Sequence, residues 1–434
     1  MSNIIVVGGS AAGMSFAAKY KRNRPEDDVL VFEAKDYISF GACGLPYYIQ
    51  DQFSDENTMI ARTPSQMIDS GIDVRINHAV TEINTTKKFV VANDVKYEYD
   101  KLIVATGANP IVPGFAQIDN EQVFTLTTLA DGNAIKQKLQ SGIKHVTVIG
   151  AGFIGLEVMD AAKHLGLEVT VVERSNGILS TQFNKDMTEI VEQNIADSGI
   201  ELMLNTTVEQ IETGERATVV TDTVSFETDA VIVAIGFLPN SKVIDCTKLL
   251  NGAILVDENG KTSIDDVYAV GDVASTKNIV TGKDTYLPLA TNANKFAKSL
   301  ADHLAGLETE FTGMLGSSCL KVLDYDMART GLSERDLMHS DLEYKTRIVK
   351  DKTHTNYYKG NEDIYIKMIY CPTTYKLYGA QIVGKKDVVH RLNTLALAIT
   401  TGITTKQLAY VDFAYAPPFA RTWEALNTAA NVCK

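Results

Sequence analysis

The chain has 434 residues with 41 basic and 54 acidic side chains, a formal charge of −13. That length predicts several domains with room for large buried cores, and an acidic balance without a basic block argues against nucleic acid or anionic membrane as partner. No apolar run approaches the roughly 18 residues of a membrane span, and Met1 leads straight into a strand pattern, so a soluble, cytoplasmic protein is expected.

The first predicted elements lie in "NIIVVGGSAAGMSFAAKYKRNRPEDDVLVFEAKD". An apolar β-branched run, a small-residue turn, a helix with small residues on one face and a second strand follow in the order of a βαβ unit. Gly8, Ser10 and Gly13 occupy the three positions of a G-x-G-x-x-G fingerprint, with serine replacing the middle glycine. Glu33 closes the second strand, where a carboxylate accepts hydrogen bonds from a ribose.

Next comes "YISFGACGLPYYI", residues 37–49, with Cys43 between small residues. Gly41 and Gly44 permit close backbone approach and Pro46 suits a first helical turn. A thiol at a helix N-terminus has its thiolate stabilised and becomes a nucleophile. The other cysteines, Cys246, Cys319, Cys371 and Cys433, are scattered without a CxxC pair, so neither a disulfide framework nor a structural zinc site is supported. The seven histidines show no ligand spacing, so no metal is expected, and His354 reads as a loop residue.

"KLIVATGANP", residues 101–110, is a strand entering a glycine turn, and "VIVAIGFLPN", residues 231–240, repeats that grammar; both read as crossovers between domains. Between them, "HVTVIGAGFIGLEVMDAAKHLGLEVTVVERS" gives a second, complete fingerprint in Gly150, Gly152 and Gly155, with Glu173 ending the following strand. Two such units predict two dinucleotides, each pyrophosphate resting on a helix N-terminus. "TSIDDVYAVGDVA", residues 262–274, is a strand ending in Gly271-Asp272, placed for a carboxylate to meet a ligand hydroxyl. Farther on, "YIKMIYCPTTYKLYGAQIVG" reads as two strands joined by a turn and "VVHRLNTLALAITTG" as a helix. The fold class expected is α/β, with two Rossmann-like domains and a C-terminal α+β domain.

Together these motifs resemble the FAD-dependent pyridine nucleotide-disulfide oxidoreductases over essentially the whole chain. The resemblance implies an FAD domain at residues 1–111 and 240–318, an NAD(P) domain at 112–239 and a dimerisation domain at 319–434. It further implies that FAD is held through Gly8, Ser10, Gly13, Glu33, Ser39, Thr106, Gly107, Gly271 and Asp272, and NADH or NADPH through Gly150, Gly152, Gly155, Glu173 and Gly236. Glu173 suits the ribose of NADH while Arg174 suits the phosphate of NADPH, and the sequence does not choose between them.

The disulfide reductases of this superfamily carry a C-x4-C pair; here Tyr48 follows Cys43 by five. Single-cysteine relatives include NADH peroxidases, NADH oxidases and coenzyme A-disulfide reductases. The peroxidase and oxidase branch carries a histidine in the first glycine loop, where this chain has Ala11. The segment "VDFAYAPPFARTWEALN" is similar to the AYAPP stretch of coenzyme A-disulfide reductases, whose tyrosine completes the partner subunit's site, which points to Tyr415. A second tyrosine maps to Tyr357 or Tyr358, with Lys359 in place of the family's proline.

The reading reached is a homodimeric NAD(P)H:coenzyme A-disulfide reductase whose Cys43 cycles through a mixed disulfide with coenzyme A. Lys19, Arg22 and Arg62 are candidates for the phosphates of coenzyme A. The alternatives are an NAD(P)H oxidase with a cysteine sulfenic acid intermediate and a slow flavin-containing thiol redox sensor.

Overall fold

The computed structural model describes residues 1–119, 121–338 and 340–434. The chain divides into two compact units. The first comprises Met1–Leu45, Phe53–Ile111 and Phe237–Met314; the second comprises Pro46–Gln52, Val112–Gly236 and Leu315–Lys434.

The first unit is built on a five-stranded parallel sheet in the order Val267–Ala269, Lys101–Val104, Asn3–Val7, Asp28–Phe32 and Asp73–Arg75. Ile4, Ile5, Val6, Leu102, Ile103 and Val104 are wholly buried. Strands covered on both faces need apolar side chains at every position, which is why these read as unbroken runs rather than as alternating ones. Helices Ala11–Asn23 and Ala290–Leu304 pack against each other. The two segments expected as crossovers lie side by side, with Ala108–Pro110 pairing antiparallel to Phe237–Pro239.

The second unit contains a matching parallel sheet in the order Glu201–Met203, Glu168–Val172, His145–Ile149, Ala230–Val233 and Val123–Phe124. Each parallel sheet is accompanied by a three-stranded antiparallel meander, Val80–Asn84 to Val95–Glu98 in the first unit and Val208–Glu212 to Ser225–Thr228 in the second. The C-terminal part of the second unit is a five-stranded antiparallel sheet in the order Ser318–Val322, Tyr325–Gly331, Leu377–Gly384, Asp363–Tyr370 and Lys345–Lys352. Helix Val388–Thr401 packs on two of its strands. The expected fold class, with its hairpin and following helix, is what forms.

Polar ties join this sheet to the second Rossmann fold. Lys367, on an otherwise apolar strand, is fully buried and reaches Asp186 at 2.6 Å and Glu334 at 3.0 Å. Gln381 accepts from the Asn184 backbone N–H at 3.0 Å. A buried lysine is tolerable only when it is paired, and its two partners lie far off in sequence. Among the described residues, no helix is long and apolar enough to cross a membrane.

Candidate active site

The two parallel sheets end in the same turn. The Gly8 N–H donates to the Phe32 carbonyl and the Gly150 N–H to the Val172 carbonyl, both at 2.8 Å. Gly8 and Gly150 hold φ of +108° and +101°, and a Cβ at Gly13 or at Gly155 would lie 1.9 Å from the carbonyl oxygen of Gly8 or Gly150. Only glycine lets the helix start this close to the strand it follows.

Ser10 and Gly152 occupy the helix N-caps, and neither helix has a side-chain cap bond. Nothing lies within 4 Å of where a Cβ on Gly152 would point. The first N–H groups of both helices are thus left for an anion, the fit a pyrophosphate requires.

Each turn is locked by the carboxylate predicted from sequence. Glu33 accepts from the Gly9 N–H at 2.7 Å through one oxygen and from the Lys35 N–H at 3.0 Å through the other. Glu173 repeats this with the N–H groups of Ala151 at 2.8 Å and Ser175 at 2.7 Å. Every oxygen keeps a lone pair for a ribose hydroxyl.

The rest of the first unit's site gathers around Gly271. A Cβ there would press on Ala12 at 2.7 Å, and Ala293 stands 3.9 Å away, so the starts of helices Ala11–Asn23 and Ala290–Leu304 converge on this glycine. Burial pushes the Asp272 carboxyl up to about 6. Asn292, 1% exposed, donates to the Leu287 carbonyl while its own Oδ1 has no partner. A raised carboxyl and an orphaned acceptor fit the hydroxyl and amide donors of a flavin nucleotide, and a helix N-terminus without a side-chain cap offers N–H groups to its carbonyl or phosphate oxygens. Ser39, at φ +51°, is tied to the loop through the Gly9 carbonyl. Thr106 spends its hydroxyl on the Asn240 carbonyl at 2.7 Å, and the Asn240 N–H returns a bond to Gly107. These two fasten the turn that carries them. Gly236, in the second unit, adopts φ +118°.

Cys43 is exposed on a 3-10 turn, Ala42–Gly44, that runs directly into helix Leu45–Ile49. Pro46 falls in that helix's first turn, as expected. With five residues the helix has little macrodipole, so its help to a thiolate is confined to its first N–H groups. The chain just beyond is clamped: Lys136 donates to the Tyr48 carbonyl at 2.8 Å, lies 3.9 Å from that ring's centre and pairs with Asp51 at 2.6 Å. Burial pushes up the thiols of Cys246, Cys319 and Cys433. Burial also works against ionisation of Cys371, but hydrogen bonds from Thr373, Thr374 and Tyr378 outweigh it and bring that thiol down to about 6. The sequence gives no hint of this, because the donors are supplied by a hairpin turn.

Among the tyrosines, the neighbouring Tyr415 raises the hydroxyl pKa of Tyr357. Tyr358 stands edge-on to buried His354 at 5.6 Å. All three tyrosines are exposed, at 77% for Tyr357, 47% for Tyr358 and 45% for Tyr415. Of the basic candidates, Arg22 and Arg62 are exposed while Lys19 is engaged by Asp302 at 3.1 Å. The residues sequence reasoning missed are Asn292 and Lys136. Neither belongs to a motif, and each acquires meaning only from neighbours distant in sequence. Among the described residues, no cluster of side chains could hold a metal ion.

Comparison with known proteins agrees with this architecture. Residues 2–297 match the family model for pyridine nucleotide-disulphide oxidoreductases, and residues 317–427 match that family's dimerisation domain. The chain belongs to this family of FAD-dependent NAD(P)H oxidoreductases. It is 35% identical to the NAD(P)H coenzyme A polysulfide/persulfide reductase of Pyrococcus horikoshii, covering 99% of this chain and 98% of that one. It is 31% identical to the coenzyme A disulfide reductase of Staphylococcus aureus, with 98% of each covered. Among solved structures, the water-forming NADH oxidase of Lactobacillus brevis, bound to NADH, superposes with a TM-score of 0.95 at 30% identity, covering 99% of this chain and 98% of that one.

Proposed function

We propose that this protein is a cytoplasmic, homodimeric NAD(P)H:coenzyme A-disulfide reductase with Cys43 as its redox residue. The observation that carries the reading is an exposed thiol on a glycine turn next to a dinucleotide fold, with Tyr48 where a second cysteine would stand. A single thiol cannot form an internal dithiol pair and must exchange with a substrate sulfur. The names of the coenzyme A-dependent relatives support coenzyme A as the carrier of that sulfur.

Bound FAD would supply two-electron chemistry, linking hydride from NAD(P)H to a sulfur–sulfur bond. The chain's own part is to hold the two dinucleotides on its glycine loops and to present Cys43. The Cys43 thiolate attacks coenzyme A disulfide, a new sulfur–sulfur bond forms, and the first coenzyme A leaves as a thiolate. Two electrons then cleave the Cys43–coenzyme A bond and free the second. Tyr415, beside Tyr357, is positioned to donate a hydrogen bond to a departing thiolate, in our reading across to the partner subunit. The exposed Tyr410, Phe419 and Trp423, near it in sequence, suit a surface covered in a dimer. Arg22 and Arg62, both exposed, are the basic candidates for coenzyme A phosphates.

NAD(P)H consumption under argon, with and without coenzyme A disulfide, compared between the wild type and Cys43→Ser, tests the reading. Turnover that needs both the disulfide and Cys43 upholds it. Brisk consumption only when oxygen is admitted overturns it in favour of an oxidase, the reading that similarity to the Lactobacillus enzyme supports. Slow rates with both acceptors overturn it in favour of a thiol sensor.

A further inference from the structure

The loop that leaves strand Glu168–Val172 is held by a residue outside every motif. Glu192 lies on helix Lys185–Asp197 with its side chain only 11% exposed. One carboxylate oxygen accepts from the Ile178 N–H at 3.1 Å and from the Thr188 hydroxyl at 3.0 Å, and the other pairs with Lys185 at 2.5 Å. A Cβ on Gly177 would come within 3.0 Å of the first oxygen and of the Lys185 side chain. Carboxylate and lysine therefore lie directly on the loop backbone.

What this clamp fixes is the next peptide. Leu179 adopts φ +50°, a left-handed conformation that a leucine keeps only where its surroundings over-determine it. Its N–H then donates to the Ala151 carbonyl at 2.9 Å. Ala151 stands between Gly150 and Gly152 and gives its own N–H to Glu173 at 2.8 Å. The middle of the second glycine loop is thus gripped from both sides by residues 173–179, and Glu192 grips them in turn.

The first unit repeats the arrangement with other residues. Ser39 stands as far beyond Glu33 as Leu179 stands beyond Glu173, adopts φ +51° and donates to the Gly9 carbonyl at 2.9 Å, while Gly9 gives its N–H to Glu33. There the Ala61 N–H holds the loop through the Ser39 carbonyl at 3.0 Å; Glu192 holds it in the second unit. One geometry reached by two sets of residues, beside each dinucleotide loop, points to a demand made by the ligand. The helix carrying Glu192 is well anchored for the task. At its start Asn184 exchanges bonds with Gln381 at 3.0 and 2.5 Å, and Asp186 meets the buried Lys367 at 2.6 Å.

We infer that Glu192 is a positioning residue for the pyridine nucleotide: through Ile178 and Leu179 it holds residues 173–179 against Ala151, and so sets where the glycine loop and Glu173 meet the ligand. The inference rests on the placement of NAD(P)H at the second glycine loop and not on the choice of acceptor.

Binding without turnover tests it. Oxidised, FAD-loaded protein is titrated calorimetrically with NAD⁺ and with NADP⁺, neither of which can reduce it. Glu192→Ala should raise Kd for both by about tenfold, the worth of a charge-assisted hydrogen bond. Glu192→Gln keeps an acceptor for the Ile178 N–H and should stay within about threefold of the wild type. Lys185→Met, at a partly exposed position, releases one of the carboxylate's bonds and should move both Kd values the same way, which covers the case of a poorly folding Glu192→Ala. Ile195→Val, a wholly buried residue of the same helix, should lower Tm and leave both Kd values unchanged. Steady-state rates under argon should place the Glu192→Ala loss in KM for NAD(P)H, with KM for coenzyme A disulfide within about twofold.

Glu192 and Lys185 variants that lose Tm as Ile195→Val does but keep both Kd values overturn the inference, and so does a loss confined to NADP⁺. Gly152→Ala distinguishes the reading beneath it. If Gly152→Ala weakens NAD⁺ binding while Glu192→Ala does not, the inference alone falls; if neither weakens it, the nucleotide lies elsewhere and the placement falls as well.

Discussion

Tyr357 and Tyr415 come close enough for Tyr415 to raise the Tyr357 hydroxyl above its usual range, although 58 residues separate them in sequence. The neighbouring Tyr358 turns instead to His354. If a phenol assists departure of coenzyme A, the two neighbouring hydroxyls are expected to act as a unit. We expect Tyr415→Phe and Tyr357→Phe each to lower kcat by about tenfold. The double variant should fare little worse than either alone, a non-additivity expected of coupled residues. Tyr358→Phe should stay within about twofold. Anaerobic steady-state rates with coenzyme A disulfide measure all four, and equal losses at Tyr357 and Tyr358 would contradict the assignment.

The second glycine loop allows a sharp contrast. At Gly155 an added Cβ collides with the Gly150 carbonyl, whereas at Gly152 it meets nothing. Gly155→Ala should therefore cost more than about 3 kcal/mol and lower Tm by several degrees. Gly152→Ala should leave Tm within about 2 °C yet raise KM for the pyridine nucleotide, because the methyl group occupies the approach to the helix N-terminus. Thermal unfolding and nucleotide titration separate the two effects.

What was legible in the sequence follows one physical line. Parallel strands buried on both faces announce themselves as apolar runs, and a loop that must admit a pyrophosphate shows its glycines, so Gly8, Gly13, Gly150 and Gly155 could be placed by pattern alone. Glu33 and Glu173 could be placed by counting from them. Residues whose role depends on a partner brought up by tertiary packing left no local trace. Lys367 reads as a misfit in a strand until Asp186 and Glu334 arrive, and Glu192 reads as one more helical glutamate until Ile178 and Lys185 close on it. Tyr357 and Tyr358 are adjacent and chemically identical, so only the direction each takes in the fold distinguishes them.

Asp272 gives the apoprotein a pH signature. Its carboxyl is held up at about 6 by burial, so in the folded chain it binds a proton more readily than in the unfolded one. The stability linked to that proton is fully present below the unfolded value of about 4 and is lost as pH rises through about 6. Asp272→Asn removes the titration. The apoprotein variant should thus be more stable than the wild type, by a margin that grows from about pH 4 and levels off above about pH 6. The same variant should hold FAD at least about tenfold less tightly at neutral pH, through loss of a charged acceptor for a ligand hydroxyl. Thermal scans of stripped protein and FAD titration test the two arms. A pH-independent Tm difference would show that Asp272 does not titrate in this range.

Discrimination between NADH and NADPH falls on two adjacent residues with opposite tendencies. Glu173 is pinned by the N–H groups of Ala151 and Ser175, so its carboxylate cannot swing away from an incoming 2′-phosphate. It favours NADH, whose ribose hydroxyls can donate to it. Arg174, the next residue, is exposed and carries the charge a 2′-phosphate seeks. With a fixed repulsion and a flexible attraction side by side, the wild type should accept both coenzymes. Arg174→Ala should raise KM for NADPH by about tenfold or more, the worth of a charged hydrogen bond, and leave KM for NADH nearly unchanged. Glu173→Ala should lower the NADPH KM and raise that for NADH, while reducing Tm because two loop N–H groups lose their acceptor. Steady-state kinetics with both coenzymes on the three proteins decide the matter. Equal changes for NADH and NADPH in Arg174→Ala would place the 2′-phosphate away from this strand end.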